Sequence, residues 1–334
     1  MKNHLLSEVE LIEYAKGESL IDRLRGLFDH QIDNWDLAKQ NYADLKSVIV
    51  HEKLINNISI KLQFNPKRVK STAADLSLKQ DQDECILCET NLPDEQKFIK
   101  YYKEYNFLVN PYPIFKEHYT IAKCKHVPQS ISSYLNDLLL LSRDVGERYA
   151  IFYNGPQCGA SIPQHLHFQM GNKESFPIFE QLKNISKDNS CLSIERKKLS
   201  FHSIELTKRF IFLIESNDSI EIMNSFSILI SFIRSVVPGN SEPMLNIVSL
   251  FEDKKWRLII FLRKKHRPSF YYLENNKKIV VSPAAVDMSG LMILPREEDL
   301  DKFNKETIEH IYREVSITKE LNEYLITKLK AFYL

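Results

Sequence analysis

Apolar residues recur at helical spacing over residues 8–29 (Val9, Leu11, Ile12, Leu20, Ile21, Leu24, Leu27, Phe28), which predicts an N-terminal helical arm. Over residues 46–64 the pattern becomes strand-like. It ends in the alternation Ile58, Ile60, Leu62, Phe64, which Asn65-Pro66 breaks. Residues 70–84 are polar and read as a surface connection. From 98 to 170 the order is strand, strand, helix, strand, strand: 107–109, 119–122, a helix near 130–147, 149–153 and 162–170. A similar order follows, with strands near 194–201 and 209–215, a helix near 218–236, and strands near 244–251, 256–263 and 278–294. The last forty residues read as two helical stretches rich in Glu and Lys. Antiparallel strands with one helix per block predict an α+β protein, and the recurrence fits an ancestral duplication.

Composition narrows the function. The chain is 43% hydrophobic and 27% charged, ordinary for a protein with a full core. Its 45 Lys and Arg balance 44 Asp and Glu, so no global field draws it to nucleic acid or to a membrane. Only 8 of 334 residues are Gly, and neither G-x-G-x-x-G nor G-x-x-x-x-G-K-[ST] occurs, which excludes the glycine-dependent dinucleotide and P-loop sites. The start, Met1-Lys2-Asn3-His4, lacks the basic and apolar regions of a signal peptide, and no apolar run approaches the length of a spanning helix. Five sparse cysteines (Cys85, Cys88, Cys124, Cys158, Cys191) make no disulfide framework. The expectation is a soluble protein of a reducing cytoplasm, monomeric or homodimeric.

Three of the eight glycines, Gly155, Gly159 and Gly171, flank the stretch running from Asn154 through His165-Leu166-His167-Phe168-Gln169. On a strand, His165, His167 and Gln169 share one face, while Leu166, Phe168 and Met170 share the other. Packing alone has no use for two imidazoles and an amide side by side. Imidazoles satisfied by neighbouring carbonyls are the plain alternative. Against it stands the small, turn-prone run from Gly155 to Ser161, whose backbone N–H groups can approach an anion and whose Ser161 adds a hydroxyl.

His165-x-His167-x-Gln169 after an Asn-Gly…Gly-x-Ser loop resembles the histidine-triad superfamily. The branch is that of galactose-1-phosphate uridylyltransferase, dinucleoside tetraphosphate phosphorylase and GDP-hexose phosphorylase, which carries Gln at the third position. Phe176-Pro177 downstream brings it nearest the GDP-hexose phosphorylases, and Val109-Asn110-Pro111-Tyr112-Pro113, then His118 to His126, is similar to the strand pair before their catalytic strand. The resemblance spans about residues 60–300 and is specific around 107–171. It implies two histidine-triad-like halves with antiparallel sheets and flanking helices: residues 61–190 as the catalytic half and 191–298 as the second. Residues 1–60 would form the helical arm and first strands, and 299–334 the C-terminal helices.

It further implies His167 as nucleophile on the α-phosphorus of a nucleoside diphosphate sugar or a dinucleotide, giving a nucleotidyl-histidine that phosphate or a sugar phosphate then accepts. Gln169 would stabilise charge on a non-bridging oxygen, Ser161 and the loop containing Gly159 would hold the departing phosphate, and Asn154 would sit by phosphates or ribose. A rival from another class is a non-catalytic zinc- and nucleotide-binding module.

Cys85-Ile86-Leu87-Cys88 alone could be redox-active or two buried thiols. The resemblance implies a structural zinc on Cys85, Cys88, His126 and His165, two sulfurs and two nitrogens suited to tetrahedral binding, with His118 a rival to His126 and Cys124 a packing residue. Arg68 would contact phosphate. Arg263, in the basic run Arg263 to Arg267, reads either as part of a solvated loop or as a cradle for the substrate's phosphates.

Overall fold

The structure, a computed structural model, describes residues 3–66, 84–183, 185, 189–237, 239 and 242–333. Arg68 lies outside the described residues. The N-terminal arm is three helices rather than one: α1 (Glu8–Tyr14), α2 (Leu20–Asn34) and α3 (Asp36–Leu45). Ser7 caps α1 in a reciprocal pair with Glu10, and Ser19 caps α2, so the Lys16-Gly17-Glu18-Ser19 stretch interrupts a continuous apolar stripe.

Strands β1 (Val50–Ile55) and β2 (Ile58–Phe64) form a hairpin turned by Asn56 and Asn57, both in the left-handed region (φ 51° and 65°). Beyond the turn, β2 pairs in parallel with β13 (Leu291–Leu294) from the far end of the chain. The strand expected over 278–294 is therefore only its last four residues, preceded by a one-turn helix, α7 (Ala285–Met288).

The remaining strands form one ten-stranded sheet. Its first five are β3 (Phe98–Tyr101), β4 (Tyr105–Val109), β5 (His118–Lys123), β6 (Tyr149–Asn154) and β7 (His167–Asn172), with helix α4 (Leu135–Val145) between β5 and β6. Helix α5 (Pro177–Lys183) leads to β8 (Ser190–Arg196), β9 (Leu199–Leu206) and β10 (Arg209–Ser216). Then come α6 (Ser219–Arg234), β11 (Leu245–Glu252) and β12 (Lys255–Leu262). The spatial order is β3-β4-β5-β7-β6-β11-β12-β10-β9-β8. Read outward from the β6·β11 junction, the two sides have the same connectivity: a three-strand meander, a helix, and a hairpin whose second strand inserts beside the third. Only the first copy carries the histidine motif; β12 reads KWRLIIFL.

Alternation along the strands feeds a core on each face. Phe212 and Ile214 enter a core shared with α2, α4, α6 and α9 (Lys319–Tyr333), while Ile211 and Leu213 enter one shared with β2, β13, α5 and α8 (Lys305–Val315). With both faces covered and all strand pairs in the large sheet antiparallel, the fold is α+β. Among the described residues no helix is long and apolar enough to cross a membrane.

Glu314 at the end of α8 accepts from Lys265 Nζ (2.6 Å), Ser269 N (2.7 Å) and Ser269 Oγ (2.8 Å), tying the basic 264–269 loop to the helix. Burial alone would raise its carboxyl, but these bonds outweigh it and hold it at about 2. A folded pKa below the unfolded one stabilises above the ordinary carboxylate range and is lost as pH falls toward 2. Between about pH 6 and pH 2 the wild type should therefore lose about 1–2 kcal/mol more than Glu314→Gln after solvent screening, measured by denaturant melts. Parallel pH curves for the two proteins would refute the assignment.

Candidate active site and metal cluster

Leu166, Phe168 and Met170 are fully buried in the helix-side core, which turns His167 and Gln169 to the opposite face of β7. The strand begins at His167, so His165 stands in the bend just before it rather than on the strand itself. His167 pairs with Ala122 of β5, and Ala122 belongs to a small apolar cluster with Cys85, Cys88, Leu92, Phe98, Leu108 and Ile162.

The His167 ring is oriented by its own backbone: Nδ1 donates to the carbonyl of His165 at 2.8 Å. That bond fixes the tautomer and leaves a lone pair on Nε2, which makes no hydrogen bond among the described residues. Burial pushes the imidazole down to about 4, against the smaller opposing pull of that carbonyl, so the ring is neutral at pH 7. Only 4% of the residue is exposed, while the neighbouring Gln169 is half-buried. His118 Nε2 donates to Gln169 Oε1 (3.1 Å), which turns the Gln169 amide so that its NH2 group is the end presented away from His118. His118 does not belong to the group of converging Cys and His side chains, so His126 takes the ligand place for which His118 was the rival; Phe115 and Phe152 pack against its ring.

The loop before β7 is close-packed against the second half. Gly159 has φ +99°, and a Cβ there would lie 2.7 Å from that of Ala284, so only glycine fits. Ser161 is exposed. Asn154 is buried, and its Oδ1 accepts from Asn246 Nδ2 (2.9 Å) and from Ala285 N (2.8 Å). The Asn154 side chain thus joins β6 to β11 and to the 283–285 segment.

Arg263 departs from the expected cradle. It is buried, and all five of its N–H donors are committed within the chain: to Val315 O, Asn246 Oδ1, Pro283 O, Lys265 O and His266 O. A guanidinium has five such donors, so none remains for a phosphate. Its role is that of a strut, holding the 264–266 turn and the 283–285 segment against Asn246.

Cys85, Cys88, His126 and His165 place their ligand atoms within 4.8 Å of one another. His165 Nδ1 is 3.2 Å from Cys85 Sγ and 3.6 Å from Cys88 Sγ, and His126 Nδ1 is 3.2 Å from Cys88 Sγ. His165 Nε2 donates to Lys123 O at 2.7 Å, which points Nδ1 into the cluster. Two thiols and two imidazoles so converged can hold a metal ion. Cys124 is exposed instead, its Sγ donating to Asn106.

Two site residues escaped the sequence reading: Gln129, bonded to both Asn154 and His167 through their backbones, and Asn246; His118 was weighed only as a metal ligand, and its bond to Gln169 was not foreseen. Neither Gln129 nor Asn246 lies in a motif. Only the pairing of remote strands brings them here.

Residues 27–172 match a family described as a domain of unknown function, DUF4922, and residues 192–331 match the GDPGP1-like, C-terminal domain. No curated protein matches the chain. Among solved structures, yeast Ap4A phosphorylase Apa2 superposes with a TM-score of 0.52 at 14% identity, covering 84% of this chain and 94% of that one. The same yeast enzyme in complex with Ap4A gives a TM-score of 0.51 at 18% identity, over 87% and 97%. These likenesses establish a shared fold along nearly the whole of both chains.

Proposed function

We propose that the chain is a histidine-triad-like protein of the uridylyltransferase and phosphorylase type, and that it is a nucleotidyltransferase that cleaves a nucleoside diphosphate sugar at the α-phosphate. The observation that carries the reading is His167: a neutral imidazole with Nδ1 bonded to a carbonyl and Nε2 left with its lone pair. Nε2 attacks the α-phosphorus, forming a P–N bond while the bond to the bridging oxygen breaks and the sugar phosphate leaves. An oxygen of inorganic phosphate or of a sugar phosphate then attacks the same phosphorus, breaks the P–N bond and returns the ring to neutrality. The His165 carbonyl stabilises the ring while it carries positive charge. Gln169, its oxygen held by His118, donates from its NH2 group to a non-bridging oxygen, an interaction typically worth about 10²–10³ in rate. Ser161 and the Gly159 loop border the leaving phosphate.

Cys85, Cys88, His126 and His165 would hold zinc, whose chemistry here is structural: it clamps the segment at 85–88 to the turn that begins β7. The repeated connectivity supports reading residues 61–190 as the catalytic half and 191–298 as a second half that serves as scaffold. A second reading, dinucleoside polyphosphate phosphorolysis, is favoured by the fold shared with the yeast Ap4A phosphorylase over 84% of this chain.

Incubation with radiolabelled nucleoside diphosphate sugars and dinucleotides, without acceptor, tests both. A label on the protein stable to alkali and lost in acid supports the covalent enzyme, and the donor that gives it decides between the two readings. Tight binding of a donor without any label would leave the non-catalytic module as the function.

A further inference from the structure

In a regular antiparallel ladder Phe152↔Gln169 would be followed by Tyr153↔Phe168 and then by a rung pairing Asn154 of β6 with His167 of β7. That rung is absent. β6·β7 pairing stops at Phe152↔Gln169, and the side-chain amide of Gln129 occupies the position instead. Gln129 Oε1 accepts from His167 N (2.9 Å), and its Nε2 donates both to His167 O (3.0 Å) and to Asn154 O (2.9 Å). One carboxamide therefore serves the inner-edge N–H and C=O of His167, as a peptide group of β6 would, while holding β6 one side-chain width away. Gln129 is itself buried, and its backbone N–H donates to Pro163 O (3.0 Å), anchoring it to the turn ahead of β7.

We propose that Gln129 is a positioning residue: a wedge that holds the sheet open beside His167 and sets the backbone from which the imidazole projects. The proposal rests on the reading of His167 as nucleophile. Two observations set Gln129 apart from an ordinary buried amide. It bonds both main-chain groups of the one residue whose placement the chemistry needs. It also keeps apart two strands that the ladder would otherwise zip together, and Asn154, the residue it displaces, is anchored through Oδ1 to Asn246 and Ala285. The gap is thus braced from both sides.

The test uses the full-length protein and Gln129→Met, which keeps the length and loses every side-chain hydrogen bond. Single-turnover labelling from the donor that labels wild type separates rate from amplitude. A wedge predicts an unchanged amplitude and a labelling rate lower by about 10²-fold, the usual cost of misplacing a reacting group by about 1 Å. A merely structural residue predicts the reverse, a lower amplitude at the wild-type rate, and that result would overturn the proposal. If the methionine variant is unstable, Gln129→Glu keeps the acceptor and loses the two donors; labelling by its folded fraction at the wild-type rate would be equally fatal. Should wild type take no label from any donor, the nucleophile reading fails by itself. The wedge is then judged by amide hydrogen exchange at His167, where protection in Gln129→Met equal to wild type overturns it and faster exchange upholds it.

Discussion

Replacing His167 by alanine is expected to abolish covalent labelling and to lower turnover by at least about 10³-fold, with little change in stability. Removing a nucleophile deletes the intermediate itself, and what remains is whatever the rest of the site does for an uncatalysed displacement. The stability side follows from the ring's contacts. Its one hydrogen bond runs to the carbonyl two residues earlier, worth about 1 kcal/mol, while the backbone bonds to Gln129 survive the substitution. The melting temperature should therefore move by only a few degrees while label and turnover vanish. The decisive measurement is the ratio of His167→Ala to wild-type turnover at saturating donor and phosphate. Retention of a tenth or more of the activity would remove His167 from the mechanism.

The second large effect concerns the cysteine–histidine cluster. Cys88 lies within reach of both His126 and His165, so Cys88→Ser disrupts the set at the thiol that contacts both imidazoles. Structural zinc in small domains contributes about 10–16 kcal/mol of apparent folding free energy, and part of that should appear here because the four ligands come from three separated stretches of chain. Metal analysis should give about one ion per wild-type chain and almost none for Cys88→Ser, with a melting temperature lower by about 10 °C or more. Because His165 precedes His167 by two residues and supplies its orienting carbonyl, turnover should fall with the metal. Equal metal content in the two proteins would dismiss the ligand set.

How far the sequence could be read depended on how local each signal was. The strand carrying His167 was visible because Leu166, Phe168 and Met170 alternate with polar partners, and alternation is a property of neighbours. Strand β3 was invisible as an element: it is four residues long and enters β4 through Tyr102-Lys103, both at positive φ without the Asn or Gly that normally announces such a turn. The parallel pairing of β2 with β13 joins stretches more than two hundred residues apart, and no local pattern encodes it. The four-ligand cluster was legible only by resemblance, since no spacing rule predicts that His126 rather than His118 would reach the cysteines. Arg263 misled for a physical reason. A run of cations suggests solvent and anions, yet this guanidinium lies inside the fold because five oxygen acceptors, four of them carbonyls, satisfy it there.

The duplicated connectivity has an architectural consequence. Since β6 borders β11 along the middle of the sheet, and Asn154 and Gly155 lean on Asn246, Ala285 and Leu245, the histidine-bearing copy has no finished boundary of its own. The other copy, whose β12 lacks the histidine motif, sits against it as a permanently tethered neighbour. Substitutions along the shared seam are therefore constrained from both sides, and separating the two portions would lay that boundary open.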